Sequence, residues 1–160
     1  MTMKPTSVRY HFSQRFSSPA KKAFEWCTSF DPKDTELMCE ENSERQVIPL
    51  TETTLILKDT FHLPTETVEK QKLVQIYPDQ LTWVSTHLSG PNRHSQFLYV
   101  ISPRGRTASV LDFYANHLEY TENANARLLA KQLCKEDAAL WKLLAKAMAK
   151  RSHVVENNAT

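Results

Sequence analysis

Six histidines, His11, His62, His87, His94, His117 and His153, are the first residues of this chain that could carry chemistry. Imidazole titrates near neutrality and binds metals through a neutral ring nitrogen. None of the six falls in an HxxxH or HExxH pattern, and none has a cysteine at ligand spacing, so no metal site is expected. Strand parity separates them further. His87 shares a face with Trp83 and Ser85, and His117 with Phe113 and Ala115, whereas His11 falls on the polar side of its strand. His87 and His117 are therefore the two that can face an interior. The bland outcome for each is a buried ring bonded to a backbone carbonyl.

Two carboxylates also stand on apolar faces. Asp59 has the parity of Leu55, Leu57 and Phe61, and Asp137 lies a helical turn beyond Leu133 and a turn short of Leu140, Trp141 and Leu144. Such a pair could do acid–base work. Equally, each could be neutralised by a structural partner, Arg45 or Lys72 for Asp59 and a sheet residue for Asp137, because an unpaired charge is costly in apolar surroundings. No GxSxG and no Cys–His context marks a nucleophile, so no catalytic residue is assigned. Gly90 and Gly105 are the only glycines, too few for a glycine-rich phosphate loop, and no cofactor is expected.

The elements that must position these groups follow from periodicity. Val8 to Phe16 alternates as a half-buried strand. Ser18 and Pro19 read as N-cap and first residue of a helix, Pro19–Ser29, and Asp31-Pro32 as the start of a second short helix through about Met38. Six strand-like runs follow, about Glu40–Ile48, Thr53–His62, Thr67–Tyr77, Gln80–Leu88, Ser95–Ile101 and Arg106–Tyr120. The breaks between them are of hairpin length, which implies an antiparallel meander. A two-residue turn at Pro78-Asp79 sets Val74 and Ile76 beside Leu81 and Trp83. A three-residue loop ending in a left-handed Gly105 places Phe97 and Tyr99 on the face of Leu111 and Phe113.

The last element is a helix over about Asn123–Arg151. Lys131, Lys135, Lys142, Lys146 and Lys150 share one narrow sector, and Leu129, Leu133, Leu140, Leu144 and Met148 the opposite one. The lysine stripe could meet an anionic surface, but a solvated helix back is the simpler reading. The tail from Ser152 reads as frayed.

This order resembles the START/birch-pollen-allergen superfamily, also called SRPBCC or polyketide cyclase/dehydrase and lipid-transport proteins. The residues that carry the likeness are FSQRFSSPAKKAFEWCTSF, LVQIYPDQLTWVSTHLSGP, FLYVISPRGRTASVLDF and the closing DAALWKLLAKAMAKR. The resemblance implies an α+β helix-grip fold. A seven-stranded curved antiparallel sheet would wrap a long C-terminal helix, with two short helices after the first strand and a cavity between sheet and helix. Parity then nominates the cavity lining: Leu57, Asp59 and Phe61; Trp83, Ser85 and His87; Phe97 and Tyr99; Phe113 and His117; and Leu133, Asp137 and Trp141 from the helix.

Composition bounds the rest. The 160 residues suit one domain able to bury ~70% of its unfolded surface without staples. A net charge of +2 and a pI near 8.4 are too mild for a nucleic-acid footprint. The N-terminal stretch lacks the apolar core of a secretory signal and no run is long enough to span a membrane. Three cysteines, Cys27, Cys39 and Cys134, with no CxxC suit reduced thiols, and a cytoplasmic location is expected. The leading functional expectation is binding or transport of a small hydrophobic or amphipathic ligand in the cavity. The alternatives are a cyclase- or dehydratase-like enzyme using cavity His and Asp groups, and a chaperone-activator-like module working through its surface.

Overall fold

Alternating apolar and polar residues build an antiparallel sheet whose apolar face is closed by the last helix. The structure is a computed structural model and describes residues 3–32 and 42–158. The strands are β1 (Thr6–Phe16), β2 (Ser43–Pro49), β3 (Thr54–His62), β4 (Thr67–Tyr77), β5 (Thr82–His87), β6 (Gln96–Arg104) and β7 (Ala108–Glu119). The helices are α1 (Ala20–Cys27) and α2 (Ala126–Asn158). The seven strands form one sheet in the order β1-β7-β6-β5-β4-β3-β2, with every pairing antiparallel. This is the helix-grip fold. The second short helix expected after Asp31-Pro32 lies outside the described residues.

Several local expectations are corrected. Ser18 does not cap α1. Pro19 holds that position in extended geometry, and the Ser18 carbonyl accepts a bond from the buried Ser109 hydroxyl at 2.8 Å. The β4–β5 loop is longer than two residues. Pro78–Gln80 forms a 3-10 turn ended by Leu81 in the left-handed region (φ 49°), so Ile76 pairs with Trp83 and Val74 with Ser85. In the β6–β7 hairpin, Gly105 opens the loop instead of closing it, and Arg104 pairs with Ala108. Both corrections move the register by an even number of residues, so each side chain keeps its face. The last helix starts at Ala126, because Asn123 has φ 56° and cannot be helical, while the Asn125 side chain accepts from the Leu128 N–H. It continues to Asn158, through most of the stretch read as frayed.

The core lies between the inner sheet face and α2. Phe16, Val74 and Leu111 are almost wholly buried, with Leu57, Trp83, Ile101 and Met148 around them. The lysines of α2 face outward, all exposed, and Leu144 and Met148 face the sheet.

Candidate ligand cavity

Sheet and helix leave a cavity between them in two adjoining lobes, of about 160 Å³ and 250 Å³. Lys72, Ser85, Tyr99, Leu140 and Trp141 line both and form the waist where the lobes meet. The first lobe runs towards α1 and the β2–β3 side, past Trp26, Cys27, Phe30, Arg45, Leu57, Val74, Trp83 and Leu144. The second runs towards β1 and β7, past Tyr10, His87, Asn92, Phe97, Phe113, His117, Leu133 and Asp137.

Aromatic rings make the walls. Trp83 and Tyr99, directly paired across β5 and β6, stack at 4.6 Å with planes 4° apart. Trp141 of α2 leans over both, at 6.5 Å and 5.8 Å, and also meets Phe16 at 6.3 Å. Phe113 stands edge-on to Tyr99 at 5.1 Å and beside Phe97 at 5.8 Å. Flat, polarisable walls of this kind suit a flat apolar occupant.

Polar groups interrupt the walls at a few points. Asp137, from the apolar stripe of α2, accepts a 2.5 Å bond from the Tyr10 hydroxyl on β1, so the helix acid has a sheet partner while also lining the second lobe. Burial pushes the Asp137 carboxyl above the usual carboxylate range, with the Tyr10 bond opposing the rise. Burial, and then the bond to Asp137, push the Tyr10 hydroxyl well upward. Tyr99 is raised likewise by burial and by the field of Asp137, and stays protonated. His117 lies 3.3 Å from Glu119, and His87 packs against Phe97.

Burial, then the nearby Lys72 charge, push His87 down to about 4, against a hydrogen bond to Asn92 that favours its protonation. The unfolded chain binds this proton near 6.5, so the folded form loses stability as pH falls from about 6.5 towards 4. Thermal melts at a series of pH values should show His87→Leu losing less than wild type across that window. Parallel curves for the two proteins would refute the assignment.

The structure thus gathers Leu57, Trp83, Ser85, His87, Phe97, Tyr99, Phe113, His117, Leu133, Asp137 and Trp141 around the cavity. Asp59 and Phe61 are not among the lining residues. Asp59 is buried under Arg45, which grips it at 2.7 Å and 3.0 Å, with Lys72 at 3.8 Å, and Phe61 lies beneath the Lys70 ammonium. Sequence reasoning did not place Tyr10, Arg45, Lys72 or Trp26 on the cavity. Tyr10 carried a signal, its apolar parity on β1. The indole N–H of Trp26 is buried and finds no acceptor among the described residues. Among the described residues no cluster of three His, Cys, Asp or Glu could hold a metal ion.

Fold and cavity together define a helix-grip protein with an aromatic-walled pocket between sheet and helix. No family model and no curated protein sequence matches the chain. Solved structures do match it in shape. The Zhui aromatase/cyclase from Streptomyces sp. R1128 is similar with a TM-score of 0.71 at 8% identity, covering 92% of this chain and 96% of that one. Norcoclaurine synthase from Thalictrum flavum, in complex with dopamine and hydroxybenzaldehyde, is similar at 0.68 and 13% identity, covering 92% and 89%. Ara h 8.0201 is similar at 0.67 and 9% identity, covering 91% and 99%. The shared property is the fold.

Proposed function

We propose that this chain binds or carries a small hydrophobic or amphipathic molecule in the cavity between the sheet and α2. The carrying observation is the cavity itself. Protein interiors are otherwise packed to crystal-like density, so a recess of this size between sheet and helix is room for a guest. A recess walled by Trp83, Tyr99, Trp141, Phe97 and Phe113 presents flat apolar surface suited to a flat guest. The aromatic molecules in the norcoclaurine synthase complex support the same direction. An environment-sensitive apolar fluorophore should bind saturably, and Ser85→Trp, which fills the waist, should abolish that binding while the variant still melts cooperatively. Undiminished binding to a folded Ser85→Trp protein would reject the cavity as the site.

One observation favours a second reading, an acid–base enzyme of the cyclase or dehydratase kind. Burial pushes His87 down to about 4 and the Asp137 carboxyl upward, and both line the same lobe. A neutral imidazole can take a proton and a carboxylic acid can give one. Native mass spectrometry of protein from its own cells separates the readings. A carrier releases the mass it bound, and an enzyme releases a changed one.

A further inference from the structure

Three cavity residues with polar groups lie on one diagonal, one of them, Lys72, also pairing with Asp59 at 3.8 Å. Val74 pairs with Ser85 and Lys72 with His87, so Lys72 is the diagonal neighbour of Ser85. Ser85 pairs with Phe97 and Trp83 with Tyr99, so Tyr99 is its neighbour on the other side. Diagonal neighbours lie ~7–8 Å apart, within joint reach of long side chains. All three line both lobes. Among the described residues the Ser85 and Tyr99 hydroxyls have no hydrogen-bond partner. Both hydroxyls border the cavity and are available to an occupant that accepts from both.

The rest of the first lobe has the same polarity. Its described lining contains no Asp, Glu, Asn, Gln or His, whereas Trp26, and Arg45 and Lys72, which also hold the Asp59 carboxylate, carry only donors. The acceptors, Asp137, His87, His117 and Asn92, belong to the second lobe. Tyr99, raised by burial, presents O–H and not phenolate, and Lys72 is an ammonium donor. From this geometry we infer that the Lys72–Ser85–Tyr99 diagonal is a subsite for an anionic oxygen, and that the preferred occupant is a flat aromatic monoanion. Its oxygen sits at the waist and its rings lie along the Trp83–Tyr99 stack under Trp141. This inference rests on the ligand-binding reading above.

Two matched fluorophores test it at physiological salt: 8-anilinonaphthalene-1-sulfonate and N-phenyl-1-naphthylamine, which share a skeleton and differ by the sulfonate. The sulfonate should bind at least about tenfold tighter, the scale of a hydrogen bond to a charged group. Tyr99→Phe keeps the ring stack and removes one donor, and Lys72→Met removes the ammonium while Arg45 still holds Asp59. In each, the ratio of the two affinities should fall about tenfold, with melting curves confirming the fold. A triple variant with Lys135, Lys142 and Lys146 changed to glutamate should keep the ratio. If neither probe binds saturably, the binding reading and this inference fall together. If both bind wild type equally, or the ratio survives Tyr99→Phe and Lys72→Met, the cavity reading stands and the anionic subsite is overturned. A ratio lost only in the triple variant overturns it too, because the sulfonate would then sit on the back of α2.

Discussion

A chain ending at Glu122 should lose cooperative folding altogether. That truncation removes α2, and with it Leu144 and Met148, which are buried against the sheet, and Trp141, which covers Phe16, Trp83 and Tyr99. Each fully buried large apolar side chain contributes about 1.5–3 kcal/mol. A domain of this size has only ~5–15 kcal/mol to lose. Re-exposing one side of Phe16, Leu57, Val74, Trp83 and Leu111 together exceeds that margin, and the bared face would drive aggregation. Circular dichroism melts and sedimentation of the truncated chain check this. A soluble fragment with a single sharp transition would show that α2 is not half of the core.

Asp59→Ala is expected to cost about 3–5 kcal/mol, the range for breaking a buried ion pair from one side. The Arg45 and Asp59 side chains are 7% and 3% exposed, and the guanidinium holds the carboxylate through two nitrogens. Removing the acid leaves the Arg45 guanidinium and the Lys72 ammonium on the inner face without the carboxylate they share. The double variant Arg45→Met/Asp59→Leu should recover most of the loss, since an apolar pair of similar volume matches a buried ion pair in stability. Urea titration of the two proteins measures both. A single variant within about 1 kcal/mol of wild type would show that the pair is not a strut of the β2–β3 hairpin.

The two expectations for acids on apolar faces came out unequally, for physical reasons. An apolar environment nearly requires a counter-charge, so Arg45 and Lys72 could be named for Asp59 from β-strand proximity alone. Asp137 needed a sheet partner too, but the sequence does not say which strand the helix crosses. Tyr10 lies 127 positions away in the chain, and only packing brings the two together.

Periodicity determined the seven strands, their meander and the apolar stripe of the long helix, because these depend on local sterics and on which side chains avoid water. It also determined inner and outer faces, and these survived two wrong hairpin loops because an even shift of register cannot turn a strand over. Loop chemistry was less legible: Leu81 adopts a left-handed conformation that favours glycine or asparagine, held there by the strands on either side. What only the tertiary structure decided is the site. Where α2 sits on the sheet, how much space it leaves, and that Lys72, Ser85 and Tyr99 meet at its waist are consequences of packing between distant segments. No spacing along the chain encodes them, because a cavity is set by the atoms that fail to meet, and that is known only when every element is in place.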